Sequence, residues 1–187
     1  MKEESAPDAS FKYNKESMSG TPFESISEER EFVEKVKDKA FYTGIFVEKE
    51  ELYSKFPAQL KNSVENPHIT INFAPNETQL HLEELGSEAR VFAVGYGNNG
   101  KNEGLLVKVE SENPIINKAI KDIKVPHITL SYSDDSHPMY TSGLTFSPFE
   151  RPVELSGYNS YCIHLKDGKD GVTGPLVNSI EELKKHI

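Results

Sequence analysis

One seven-residue pattern occurs twice in the chain, as Pro67-His68-Ile69-Thr70-Ile71-Asn72-Phe73 and as Pro126-His127-Ile128-Thr129-Leu130-Ser131-Tyr132. Each copy has the period of a strand, in which side chains at i and i+2 share a face. His68, Thr70 and Asn72 are expected on one face, as are His127, Thr129 and Ser131. Ile69, Ile71 and Phe73 are expected on the other face of the first copy, and Ile128, Leu130 and Tyr132 on that of the second. These opposite faces are apolar enough to lie in a core. The chain holds only six histidines, and two of them occupy matched places in this repeat. Each copy reads as a half-buried strand that presents an imidazole and a hydroxyl.

The rest of the pattern is mixed α+β. Ser25-Ile26-Ser27-Glu28 is a capping-box signal that opens a helix with Phe32, Val33, Val36 and Ala40 as its apolar stripe. Phe41 to Val47 reads as a strand and Glu50 to Phe56 as a short helix ended by Pro57. Leu80, Leu82 and Leu85 suggest a brief helix. Val91 to Tyr96 and Leu105 to Val109 form a hairpin around Gly97-Asn98-Asn99-Gly100. Pro114 starts a helix carrying Ile115, Ile116, Ala119, Ile120 and Ile123. Gly143 to Phe146, Val153 to Leu155 and Tyr158 to Leu165 read as strands, and Ser179 with Glu182 caps a final helix. A helix precedes each His strand, which suggests an internal duplication whose two halves bring the His-x-Thr faces together across a cleft.

Residues 1–24 are polar and read as a tail, leaving 25–187 as a single domain, long enough for a sizeable core. The formal charge of −9 argues against binding along an extended duplex, which draws its affinity from many Lys and Arg on phosphates. A small anion held by a few local donors is compatible with it. The single cysteine, Cys162, excludes an internal disulfide and a Cys-based zinc site. No apolar run has the length of a membrane span, and the Met1-Lys2-Glu3-Glu4 start carries no signal-peptide apolar region. A cytoplasmic, reduced setting and a monomer are the defaults.

Histidine ordinarily titrates near 6.5, so of two rings at neutral pH one can be neutral while the other is protonated. A pair facing one substrate from opposite sides supplies a general base and a general acid together. Phosphodiester cleavage needs both, in line: one takes a proton from the attacking oxygen and the other protonates the leaving oxygen. Threonine hydroxyls two residues along can donate to the non-bridging oxygens as charge builds. The set needs no metal or other cofactor.

Two His-x-Thr motifs, each on a strand, resemble the signature of the two-histidine (2H) phosphoesterase superfamily. That group includes RNA 2′,3′-cyclic phosphodiesterases, 2′-5′ phosphodiesterases and phage enzymes that destroy cyclic nucleotide signals. The resemblance places His68, Thr70, His127 and Thr129 at the family's catalytic positions and spans, as an order of elements, residues 40–165. It implies a bilobal α+β fold, with two pseudo-symmetric antiparallel sheets and flanking helices around a central cleft. It also implies metal-independent hydrolysis of a nucleotide, cyclic nucleotide or short oligonucleotide. The alternatives are cleavage of cyclic oligonucleotide messengers, a non-catalytic nucleotide-binding module of the same fold, and RNA end joining, which the acidic chain disfavours.

Other candidates carry less. Gly95-Tyr96-Gly97-Asn98-Asn99-Gly100 matches a dinucleotide fingerprint and, with Lys101, nearly a P-loop. Both need the glycines to lead from a strand into a helix, and here they lead into a strand, so a hairpin turn is expected. Lys101 could still reach a phosphate. Tyr42 and Phe46 share a face, which is either a core face or one on which an aromatic, with Tyr42 as the candidate, forms a platform for a base. Ser131 and Asn72 extend the motif faces, and Ser131 is a candidate substrate contact. His81 and Glu84 have metal-ligand spacing without a second pair. His137, His164 and His186 are expected to be structural or solvated.

Overall fold

The computed structural model describes residues 23–167 and 174–187. The expected tail lies outside the described residues except for its last two. One of these, Phe23, is only 4% exposed; its ring centroid lies 5.1 Å from that of Phe32 and the Lys184 ammonium sits 4.8 Å above it. The folded body therefore begins before Ser25, because an aromatic anchor precedes the cap.

Helix α1 (Ile26–Lys39) starts where expected, with the Ser25 side chain accepting from the Glu28 N–H at 3.0 Å. The Glu28 carboxylate reaches back to the Glu24 N–H, one residue earlier than a strict capping box. Strand β1 (Ala40–Phe46), helix α2 (Lys49–Lys55) and the two-residue strand β2 (Asn62–Ser63) follow. The first motif is strand β3 (His68–Phe73). Two 3₁₀ turns, Glu77–Gln79 and Leu82–Glu84, stand where a brief helix was expected. The hairpin is β4 (Arg90–Asn98) and β5 (Asn102–Glu110), and helix α3 is Pro114–Lys121 behind an Asn113 cap. The second motif is β6 (His127–Tyr132). A 3₁₀ segment, Pro138–Gly143, leads to β7 (Ser147–Leu155), β8 (Ser160–Leu165), β9 (Leu176–Val177) and helix α4 (Ile180–Lys184).

The class is α+β with two antiparallel sheets, ordered β3-β1-β8-β9 and β2-β6-β5-β4-β7. The chain divides into two compact units, each discontinuous in sequence. Among the described residues one holds 23–43, 72–86, 162–167 and 174–187; the other holds Gly44–Ile71 and Ser87–Tyr161. The first has its own core, in which Phe32, Val33 and Val36 of α1 meet Ile163 and Leu165 of β8 and Leu183 of α4. In the second, Ile116 and Ile120 of α3 are buried, as are Leu105 and Val107 of β5 and Ile128 of β6. Burying an isoleucine contributes about 1.5–3 kcal/mol, so the stripe at i and i+4 suffices to hold so short a helix in place. Both His-x-Thr pairs belong to this second unit.

The apolar faces of the two motifs differ from expectation at their far ends. Ile69, Ile128 and Leu130 are buried, but Ile71 is half-buried and Phe73 is 69% exposed. Strand β3 is a sheet edge, and Phe73 lies at its end against the Phe41 ring, 5.4 Å between centroids. The glycine-rich stretch is a hairpin turn, as expected: Gly95 and Gly97 are in β4, and Gly100 takes a φ of +86° at the turn.

Candidate active site

Each motif is entered through its proline. Proline has no N–H and is tolerated at the start of a strand, where only its carbonyl needs a partner. Pro67 O accepts from the Val47 N–H at 3.1 Å and Pro126 O accepts from the Val107 N–H at 3.0 Å. Immediately after each proline the histidine folds its ring back onto the chain. His68 Nδ1 lies 2.8 Å from Asn66 O, and His127 Nδ1 lies 2.7 Å from Val125 O. A carbonyl can only accept, so Nδ1 carries the proton in both rings. The neutral imidazole then has its lone pair at Nε2, and Nε2 is the atom that can take a proton and return it. Both rings are half-buried. His68 is stacked on Phe46 of β1, with centroids 4.8 Å apart and planes 28° from parallel; His127 pairs across the ladder with Leu106 of β5.

The partner strands are matched as well. A Cβ on Gly44 of β1 would collide with the carbonyl oxygen of Ile69, and one on Gly104 of β5 would stand 2.8 Å from that of Ile128. In both copies a glycine lies against the peptide that precedes the motif threonine. The two partner strands read Gly44-Ile45-Phe46-Val47 and Gly104-Leu105-Leu106-Val107, a glycine and a valine three apart around two apolar residues. The repeated arrangement therefore extends to a pair of strands per copy, β1 with β3 and β5 with β6. This was legible as a Gly-x-x-Val running ahead of each Pro-His-Ile-Thr, and the heptapeptide alone concealed it.

A short covalent path joins the copies. Ser63 of β2 pairs with Ser131 of β6, and five residues later comes His68, a span of at most about 18 Å. Tyr53 fastens that path: its hydroxyl accepts from the Val64 N–H at 3.0 Å and donates to Leu130 O at 2.7 Å. Burial pushes the Tyr53 hydroxyl pKa up, keeping it a donor. Sequence reasoning missed Tyr53, since one tyrosine in a short helix carries no signal of its own.

Strand β6 contains an irregularity that moves Ser131. Thr129 pairs with Gly104 and Ser131 with Glu103, leaving Leu130 without a ladder partner. Consecutive residues of β5 face opposite sides, so Ser131 is turned away from the Thr129 face. It is 0% exposed, donates to Glu103 Oε1 at 2.5 Å and accepts from the Leu60 N–H at 3.1 Å. The buried Glu103 carboxylate also accepts from the Tyr96 hydroxyl and the Gln59 N–H, at 2.6 and 2.9 Å. Ser131 is thus an interior residue and not a substrate contact. Tyr132, paired with Asn102, takes the motif face in its place.

Tyr42 is likewise interior, at 9% exposure. Its hydroxyl lies 2.7 Å from Nδ1 of His164, whose Nε2 is 3.0 Å from Gly174 O. The ring is therefore not displayed as a base platform, and burial pushes the phenol pKa up.

Thr70 and Thr129, both half-buried, sit in different settings. Thr129 Oγ1 is 2.8 Å from Thr141 Oγ1 and 3.3 Å from Pro138 O. Thr141, 0% exposed, lies over Gly104, where a Cβ would collide with its methyl group. Asn102 Nδ2 donates to Thr141 Oγ1 at 3.2 Å and to His137 O at 2.8 Å. Thr70 Oγ1 has no hydrogen-bond partner among the described residues.

The remaining candidates have local tasks. The Lys101 ammonium is paired with Asp135, whose carboxyl it pulls down to about 2, with a further contribution from the Ser133 hydroxyl. His137 Nδ1 accepts from the Met139 N–H and caps the 3₁₀ segment. His186 meets Glu182 one helical turn away. Among the described residues no three His, Cys, Asp or Glu side chains converge as a metal site would need, so His81 and Glu84 gain no further ligands. No helix there is long and apolar enough to cross a membrane. The chain matches no protein-family model, no curated protein and no solved structure.

Proposed function

We propose that this chain is a phosphodiesterase of the two-histidine type. It hydrolyses a nucleotide phosphodiester, either a 2′,3′-cyclic phosphate or a 2′-5′ or 3′-5′ linkage in a small oligonucleotide. The observation that carries the reading is the matched pair of imidazoles, each with Nδ1 committed to the carbonyl two residues before it. One Nε2 takes a proton from water as the water oxygen attacks phosphorus. The other, on a protonated ring, gives its proton to the ester oxygen as the P–O bond breaks. Thr70 and Thr129 donate to the non-bridging oxygens, where charge increases in the transition state. Either histidine can fill either role, and the reaction asks for no metal, because acid, base and anion donors all come from the chain.

The charge of −9 fits a compact substrate better than an extended nucleic acid, and a single cysteine fits a reducing cytoplasm. The deciding experiment is a panel of 2′,3′-cyclic mononucleotides, 2′-5′ oligoadenylate and 3′,5′-cyclic dinucleotides, incubated in EDTA and read by mass spectrometry. Hydrolysis of at least one, abolished in the His68→Ala/His127→Ala double variant, is the expected result. Hydrolysis of cyclic dinucleotides alone would narrow the function to messenger destruction, and tight binding without turnover would make the chain a binding module. Full activity in the double variant overturns the assignment.

A further inference from the structure

We infer that Thr141 is a positioning residue that orients the hydroxyl of Thr129 toward the phosphate, with Asn102 setting its own direction. The inference rests on the proposed phosphodiesterase chemistry but concerns residues outside both motifs. The polarity of the chain of hydrogen bonds follows from its fixed end. His137 O can only accept, so the Asn102 side-chain atom 2.8 Å from it is the amide nitrogen. The amide oxygen is correspondingly the atom that accepts from Ser136 Oγ at 2.5 Å. The nitrogen's other proton points at Thr141 Oγ1, 3.2 Å away, and occupies one of its lone pairs.

Thr141 is fully buried, so its own proton must go to a protein acceptor or be lost as a hydrogen bond. Thr129 Oγ1 lies 2.8 Å away. When Thr141 donates there, the Thr129 proton is released to a third partner. In the structure that partner is Pro138 O, at a long 3.3 Å. A phosphoryl oxygen is a charged and stronger acceptor than a peptide carbonyl, and it accepts this hydrogen bond when substrate is present. The sequence of donors is then Asn102 amide, Thr141 hydroxyl, Thr129 hydroxyl and phosphate oxygen, each polarising the next. Gly104 belongs to the same device, since only a residue without Cβ lets Thr141 lie over β5 beside Thr129. Thr70 has no such support among the described residues, so the two motif threonines are unequal by construction.

The test uses the full chain and whichever phosphodiester of the panel it cleaves, with Thr141→Val, Thr141→Ala and Thr141→Ser. Valine preserves the shape of threonine while removing the hydroxyl, alanine covers the case in which valine disturbs folding, and serine restores the hydroxyl. The relay expects kcat to fall about tenfold in the valine and alanine variants, with KM changed less than threefold. It expects the serine variant within threefold of the original protein, and a bell-shaped pH profile whose limbs do not move. It also expects Thr129→Val/Thr141→Val to be no slower than Thr129→Val alone, because Thr141 acts only through Thr129. A folded Thr141→Val or Thr141→Ala variant with unchanged kcat overturns the relay, as does full additivity in the double variant. His127→Ala, run in parallel, separates the two ideas. Loss of activity there with none in the Thr141 series removes the relay and leaves the phosphodiesterase reading standing; activity retained in His127→Ala removes both.

Discussion

The two His-x-Thr strands are alike at the histidine and unlike at the threonine. In both, proline sets the entry, a neighbouring valine N–H takes the proline carbonyl, and the imidazole Nδ1 is bound to the carbonyl at i−2. A glycine of the partner strand lies against the motif in each. Two residues further on the copies diverge. Thr129 is held by a buried threonine, itself held by an asparagine, both from outside the motif, whereas Thr70 has no described side chain or carbonyl bonded to its hydroxyl. The lesson is that a repeated strand pair can keep its imidazoles equivalent while its hydroxyls come to differ. Symmetry is retained where the backbone alone enforces it and lost where a third segment, the 3₁₀ turn Pro138–Gly143, packs on β5 and β6.

The largest expected effect would test the part that is alike. His68→Ala and His127→Ala should each lower kcat by about 10²- to 10⁴-fold, within tenfold of one another; a silent substitution at either would break the equivalence. Next comes the part that is unlike. Thr129→Val should cost about 10²-fold and Thr70→Val about tenfold, since removing one preorganised anion donor typically costs 10²–10³ and a loose one less. Equal losses would show that the support behind Thr129 has no catalytic consequence.

The glycines sharpen the comparison through stability. Gly44→Ala and Gly104→Ala should each destabilise the protein by about 1–3 kcal/mol in chemical denaturation, from the collision with a backbone carbonyl. Gly104→Ala should in addition slow turnover, because it displaces Thr141, and Gly44→Ala should slow it less. The smallest effect contrasts the motif histidines with a structural one. Burial holds the pKa of His164 below the usual value, with the Gly174 carbonyl partly opposing the shift. The unfolded chain therefore binds this proton more readily, and the stability tied to neutral His164 is complete above about pH 6.5 and is lost as pH falls below it. Thermal melts between pH 7.5 and 5.5 should show a decline in melting temperature that is shallower in His164→Gln. A decline of the same slope would remove His164 as its source.

Much of the fold was legible in local pattern. The Ser25 and Ser179 caps, the helix start at Pro114, the hairpin turn and the two His strands stand where residue chemistry put them, because caps and turns are decided by atoms a few residues apart. The failed expectations share one cause, which is distance along the chain. Ser131 was assigned to the motif face by parity, and the unpaired Leu130 reverses that parity. The irregularity is held by Tyr53, 77 residues away, and no window around the motif contains it. Tyr42 looked available until His164, 122 residues on, took its hydroxyl. Phe73 was placed in a core by alternation, yet the sheet ends at its strand and leaves it exposed.

By itself the sequence determined two half-buried strands, each with an imidazole and a hydroxyl on one face, and it set the tally of chemical groups to four. Strand periodicity and the rarity of histidine were enough for that, since both are properties of the chain order. Tertiary structure alone decided that Ser131 lies inside while Tyr132 takes its face, and that Thr129 but not Thr70 is backed by Thr141 and Asn102. Those outcomes depend on where carbonyls and hydroxyls from remote segments come within about 3 Å of one another, the range in which a hydrogen bond has a direction.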